Sequence, residues 1–221
     1  MQFEQYCRRN LLLDDKPYVL SQEGFPVIRN LARDFQAPPE MIDYKQALTR
    51  LRRDKSGGSL NVGVHFYMND EELDRFYHNF DLYLEFMKRT SCVLTPDFSL
   101  APAMEKLQKK HAIFRSRQVG QLLQNEGVTV CASLQWEDKD TLSYCYDGLP
   151  IGGVYSISTV GVARLAQESP SRAAFRVGFQ EALRVLKPRL ILLYGKKIPE
   201  CEFGDVPFVR YDNSHFPKKE D

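Results

Sequence analysis

The chain has 221 residues, 43% of them hydrophobic, with 12 prolines and 13 glycines, a composition that can bury a core and excludes fibrous or disordered classes. Thirty lysines and arginines balance 29 aspartates and glutamates, which excludes a strongly basic nucleic-acid binder and an acidic mimic and leaves only local patches for such work. The five cysteines, Cys7, Cys92, Cys131, Cys145 and Cys201, form no CxxC or Cys/His ligand pattern; they read as reduced thiols, with Cys92 and Cys131 as small buried hydrophobes. The N-terminal residues lack the apolar core of a signal peptide and no later run reaches membrane-spanning length, so a soluble intracellular protein with no membrane partner is expected.

Residues 1–24 are mixed and polar apart from Leu11-Leu12-Leu13 and read as an arm or short helix packed on the domain. Phe25 to Ile28 reads as a first short strand, and Met41 to Leu51 as a helix for which Pro39 suits the start. Arg52 to Ser59 is an exposed basic turn. Asn61 to Tyr67 alternates, with Val62, Val64 and Phe66 on one side, and predicts a strand. Asn69 then caps a long helix with Glu72 as its capping-box partner, and Leu73, Phe76, Tyr77, Phe80, Leu84 and Met87 share one face. Cys92 to Leu94 is a short strand ended by Pro96. A second long helix runs from Pro102 to Gln124, and Gly127 stops it before a strand over 128–134.

Trp136 to Asp140 is a polar loop, and Thr141 to Tyr146 a short helix ending at Asp147-Gly148-Leu149-Pro150. A strand over 154–157 leads to Ser158-Thr159-Val160-Gly161. The next helix carries Phe175, Phe179, Ala182, Leu183 and Leu186 on its apolar face, with Gly178 permitting close packing, and Pro188 lies just past it. Leu190 to Tyr194 is a continuous apolar run, as for a strand covered on both faces, ended by Gly195-Lys196-Lys197. Val206 to Tyr211 predicts an edge strand, because of Pro207, and residues 213–221 form a polar tail.

Strand and helix alternating over crossover-length connections predict an α/β fold in a single domain over 25–212, with a mainly parallel sheet of six or seven strands. No GxGxxG or Walker-type loop follows any strand, which favours a barrel-like arrangement, an incomplete β/α barrel, over an open doubly wound sheet. In either case ligands bind outside the carboxyl ends of the strands. Those ends present Tyr67 and Asp70; Asp97 and Ser99; Gln135, Trp136, Glu137 and Asp138; Ser158 and Thr159; and Tyr194 and Lys196. Such a rim suits general acid–base work, and its carboxylates offer oxygen ligands to Mg²⁺ or Mn²⁺.

Two residues rise above this background. Projected as a helix, Met104, Leu107, His111, Phe114, Val119 and Leu122 form an inward face with Arg115 on it. A buried guanidinium needs a partner, and Asp97, at the preceding strand end, is the natural carboxylate, either as a structural ion pair or as the centre of a site. Arg117 projects off the stripe and, with Lys106, Lys109 and Lys110, forms a basic strip on the solvent side that suits phosphates or simple solvation. His65 and His111 read as interior histidines, and Trp136 as a stacking platform or a cap on the core.

Taken together, Thr95-Pro96-Asp97-Phe98-Ser99, Phe114-Arg115-Ser116-Arg117-Gln118-Val119-Gly120, the strand ending in Trp136, Tyr146-Asp147-Gly148-Leu149-Pro150, Ser158-Thr159-Val160-Gly161 and Tyr194-Gly195 resemble domain of unknown function 4417, a family carried by bacteriophages and mobile elements. The resemblance covers roughly residues 25–212, with Phe114 a mild variation before the arginine pair. It implies one domain and a bacterial or phage cytoplasm. Two functions fit the rim. One is an enzyme-like domain acting on a nucleotide or nucleic acid, in which Asp97 and Asp70 serve as base or metal ligands, Arg115, Arg117 and Lys196 hold phosphate, Trp136 stacks, and Ser99 and Ser158 complete the binding surface. The other is a noncatalytic factor that binds a host or phage protein.

Overall fold

In the computed structural model, residues 19–212 are described. Seven strands run β1 (Met41–Asp43), β2 (Leu60–His65), β3 (Thr90–Leu94), β4 (Val130–Ser133), β5 (Val154–Ser158), β6 (Leu190–Tyr194) and β7 (Phe208–Tyr211). All neighbours pair in parallel, in the order β1-β2-β3-β4-β5-β6-β7. When every crossover advances one strand in the same direction, the helices collect on one face and the sheet curls around the other, as in a β/α barrel. Here the result is an α/β half-barrel, as the chain order predicts.

The helices between the strands are α1 (Tyr44–Arg53), α2 (Asp70–His78), α3 (Phe80–Met87), α4 (Lys106–Asn125), α5 (Lys139–Leu142) and α6 (Pro170–Leu186). Outward residues of β2 and β3, such as Val64 and Val93, together with Phe66 just past β2, pack on α1–α3 through Tyr44, Phe76 and Met87. Outward residues of β4–β6, such as Ala132, Tyr155 and Ile191, pack on α6 through Phe179, Ala182 and Leu186. The long α4 serves both halves, since Val119, Leu122 and Leu123 join the first cluster and Ile113 the second. Gly120 lets it approach closely: a Cβ there would lie 2.6 Å from Thr95 Cγ2 and 2.7 Å from Ile28 Cδ1.

Inside the curl, alternate residues Met41, Cys92, Leu94, Cys131, Val154, Leu192, Tyr194 and Tyr211 form a third cluster, filled out by Leu31, Phe35 and Ala37 from the segment before β1. That segment is fastened across the barrel. The Tyr211 hydroxyl donates to the Pro38 carbonyl (2.7 Å), and Arg189 donates to the carbonyls of Leu31 and Ala32.

The structure corrects several expectations. Among the described residues Phe25 to Ile28 joins no sheet; it forms an isolated antiparallel bridge, Leu20 with Pro26, where Pro26 has no N–H to give to a ladder. Met41–Asp43 is a strand, and the helix begins after it, where the Asp43 carboxylate accepts from the Gln46 N–H (2.8 Å). The helix expected after Asn69 is two helices, divided at Asn79, whose side chain bonds back to the Arg75 carbonyl. Asn69 does cap it, but Glu72 reaches Lys45 and Tyr44 instead of closing a capping box.

The face of α4 is also displaced from the expected one. Leu107 is 78% exposed and His111 is exposed, while Ser116, Arg117, Gln118 and Gln121 are buried. Three of these polar side chains have partners remote in sequence: Gln118 accepts from the Tyr77 hydroxyl, Ser116 bonds Thr95, and Gln121 donates to the carbonyls of Val19 and Val27. Expectations for the polar arm and the tail fall largely outside the described residues.

Candidate functional site

The carboxyl ends of β2–β5 surround a cavity of about 430 Å³. Tyr67, Met68 and Asn69 follow β2, Asp97 to Leu100 follow β3, and Leu134, Gln135 and Trp136 follow β4. Ser158, Val160 and Val162 come from the end of β5 and the loop beyond it, and Phe175 from the second turn of α6. The lining is divided between polar ends (Tyr67, Asn69, Asp97, Ser99, Gln135, Ser158) and apolar walls, the composition usual for small-molecule sites.

Asp97 is half-buried where the chain turns away after Pro96. Burial pushes its carboxyl up to about 7, the Asp70 charge adds to the rise, and the Gln135 side-chain amide opposes it. Among the described residues no cation pairs with it. Gln135 is only 5% exposed and donates through Nε2 to the Phe98 carbonyl (2.8 Å), which fixes the amide's orientation and ties the loop after β4 to the loop after β3. Asp70, the first residue of α2, accepts from both the N–H and the hydroxyl of Ser99 (3.0 Å each). It therefore positions the Asp97 loop while remaining close enough to raise Asp97 electrostatically.

Tyr67 forms the inner wall. Its hydroxyl shares a 2.5 Å hydrogen bond with Ser156, and its ring stacks on Tyr194 and His65. Burial and the nearby Asp97 both raise its pKa, so the phenol stays protonated and neutral. His65 is interior, as expected, and its Nδ1 accepts from the Tyr67 N–H (3.2 Å).

Trp136 lies flat against α6 at Gly178, where a Cβ would fall 2.1 Å from the indole Nε1. Its ring sits 5.2 Å from Phe175 and 6.4 Å from Tyr146. The tryptophan is thus both a wall of the cavity and a cap on the core. Cys92, Cys131, Cys145 and Cys201 are free, buried thiols, and burial pushes Cys92 and Cys145 to about 12, so they remain unreactive.

Of the residues predicted for the site, the structure brings Asp97, Ser99, Trp136 and Ser158 together, with Asp70 immediately behind. The cations do not join them. Arg115 makes no bridge to Asp97; it pairs with Asp74 (2.5 Å) and lies 3.8 Å over the Phe98 ring. Asp74 is one α-helical turn beyond Asp70, and the displaced face of α4 turns Arg115 toward it. Arg117 belongs to no solvent strip: it is 1% exposed, donates to the Cys145 carbonyl (2.9 Å), and among the described residues leaves Nε and Nη1 without partners. Burial lowers its pKa to about 10, so it stays charged. Lys109 is held by Glu137 (2.8 Å) and Asp138 (2.6 Å), which removes those two rim carboxylates from the cavity as well. Lys196 is exposed past β6, and its backbone carbonyl accepts from the Thr159 hydroxyl.

Among the described residues, no three or more His, Cys, Asp and Glu side chains group closely enough to hold a metal ion. No helix among those residues is long and apolar enough to cross a membrane. Sequence reading missed Asn69 as a lining residue, because its capping role explained it fully, and missed the walls Val160, Val162 and Phe175, which look like any apolar loop and helix residues.

Fold and cavity together define an all-parallel β/α half-barrel with a pocket at the carboxyl ends of its strands. The chain belongs to the family described as domain of unknown function DUF4417, whose model matches residues 21–212. It is 34% identical over 158 residues to the Gene 1 protein of Mycobacterium phage L5, covering 71% of this chain and 65% of that protein. It is 32% identical over 155 residues to the Gene 1 protein of Mycobacterium phage D29, covering 70% of this chain and 54% of that protein. The chain thus matches less than two thirds of the length of these phage relatives. No solved structure matches it significantly.

Proposed function

We propose that the protein is an enzyme-like domain that binds a nucleotide or nucleic acid in the carboxyl-rim pocket and uses Asp97 as its proton-transferring group. The observation that supports this reading most strongly is Asp97 itself: a half-buried carboxyl lining a cavity, with no counter-ion among the described residues, raised by burial to about 7. A carboxyl in that range is populated in both protonation states at neutral pH, which is what general acid–base catalysis uses. The aromatic wall of Trp136 and Phe175 offers stacking surface for a base, and Asn69, Ser99, Gln135 and Ser158 offer hydrogen-bonding groups.

The test is a thermal-shift screen of nucleotides and short single-stranded oligonucleotides, followed by chromatography of any ligand that binds. A nucleotide or oligonucleotide should raise the melting temperature and be converted by the wild type. Asp97→Asn should retain binding within a few-fold and lose conversion by roughly 10²–10⁴-fold, the range for a general acid or base. A screen in which no such compound shifts the melting temperature would overturn the reading and direct the search to protein partners.

A further inference from the structure

Resting on that reading, we infer that the pocket admits the base and sugar of its ligand and leaves phosphate outside, so that the group recognised is a nucleoside or a base splayed from a single strand. The cations stand away from the cavity. None of the described residues lining the cavity is lysine or arginine. Arg115 is committed to Asp74 on the far side of the Phe98 ring, Lys109 to Glu137 and Asp138, and Arg117 to the core. Asp97 lines the cavity with Asp70 immediately behind it, whereas tight phosphate sites are built from arginine, lysine or helix-terminal N–H groups; the N-terminus of α2, capped by Asn69 at this rim, carries Asp70, Glu71 and Glu72 in its first turn.

The groups that do line the cavity suit a base. Asn69 spends its side-chain oxygen on the Glu72 N–H, which leaves its amide N–H groups as donors. Asp97 accepts when ionised and donates when protonated; Ser99, whose O–H is given to Asp70, accepts, and Ser158, whose oxygen already accepts from the Val160 N–H, keeps its own O–H to donate. Such mixed donors and acceptors beside an aromatic face are how extruded bases are read. The groups acting on Asp97 are Asp70 from α2, Gln135 from beyond β4 and Tyr67 from beyond β2; none supplies a cation. A cavity of about 430 Å³ falls within the usual range for small ligands. A base in a duplex would first have to leave its stack to enter it.

Trp136 is the only tryptophan in the chain and lines the cavity, so its fluorescence reports occupancy directly. The experiment titrates adenosine, cytidine, guanosine and uridine, their 5′-monophosphates, ribose 5-phosphate and a short single-stranded oligonucleotide, at low and high salt, with melting temperatures alongside. At least one nucleoside should change the Trp136 emission and raise the melting temperature. Its monophosphate should bind no more tightly than the nucleoside, ribose 5-phosphate should not bind, and nucleoside affinity should be indifferent to salt. Phe175→Ala, at a partly exposed position, should weaken nucleoside binding about tenfold through lost stacking while still folding. A monophosphate or oligonucleotide that binds about tenfold or more tightly than any nucleoside, with affinity falling as salt rises, would overturn the inference and leave nucleotide binding intact. If no nucleoside, nucleotide or oligonucleotide binds, both fall together.

Discussion

Asp97 and Arg117 are both ionisable groups that form no salt bridge among the described residues, yet their surroundings are opposite in kind. Asp97 lines an open cavity at the strand ends, while Arg117 is sealed between α4, Tyr155 of β5 and the Cys145–Asp147 turn. Burial penalises the charged form in both cases. The carboxyl can escape that penalty by taking a proton near neutral pH, because its pKa rises to about 7. The guanidinium cannot shed its proton, because its pKa falls only to about 10. A group that exchanges its charge at working pH and faces a cavity is equipped for chemistry; one that keeps its charge in a closed core is equipped to hold structure, here by fastening the Cys145 carbonyl.

Removing the core group should have the largest effect. Arg117→Ala deletes one of the largest fully buried side chains, opens a cavity and strands the Cys145 carbonyl, at a cost of about 3–5 kcal/mol measured by urea unfolding. Arg117→Met, which fills similar space without charge, should recover most of that loss. Equal damage from both substitutions would show that the guanidinium is needed for its charge, and the contrast with Asp97 would collapse.

The next effect is one of pH. Asp97 has an ordinary pKa of 3.8 and a folded value of about 7. Between these values the folded protein holds a proton that the unfolded chain has lost, so stability is greatest below about pH 4 as far as this group is concerned. It should fall as pH rises through 7 and level off above. At 1.36 kcal/mol per unit the full span is up to about 4 kcal/mol, reduced by water reaching a half-buried group. Asp97→Asn should abolish this limb and melt higher than the wild type at pH 8, the gap closing toward pH 4. A wild type whose melting temperature does not decline relative to Asp97→Asn between pH 5 and pH 8 would place the carboxyl in an ordinary solvated state.

Why one of these regions was legible in the sequence and the other was not follows from the same physics. Strand ends are marked by apolar runs that stop at Pro96, Gly161 or Gly195, and parallel crossovers carry their carboxyl ends to one side, so Asp97, Ser99, Trp136 and Ser158 were readable as neighbours. The half-barrel followed from the alternation of strands and helices. The failures concentrate on α4. Its buried face includes Lys109, Ser116, Arg117, Gln118 and Gln121, and a hydrophobic stripe cannot reveal a face whose polar groups find their partners far away in the sequence, such as Tyr77 and the carbonyls of Val19 and Val27. Reading Leu107 and His111 as inward set the phase wrongly, which placed Arg115 against Asp97 and Arg117 in solvent. The strand at Met41–Asp43 was missed because three residues carry no periodicity.

The smallest effect tests that corrected phase. Arg115 is bound to Asp74, a half-exposed carboxylate, and rests on Phe98 outside the cavity. Pairs of this exposure contribute about 1 kcal/mol or less, so Asp74→Ala should lower stability only slightly, and the loss should shrink as salt is raised. Arg115→Ala should cost somewhat more, because a cation over an aromatic face adds its own attraction, but it should leave the Trp136 fluorescence titration unchanged, since no part of the guanidinium lines the pocket. If Arg115→Ala instead abolished ligand binding while the protein remained folded, the arginine would have to swing past Phe98 to reach the ligand. The pocket would then possess the cation that its described lining lacks, and phosphate would regain its place as the group recognised.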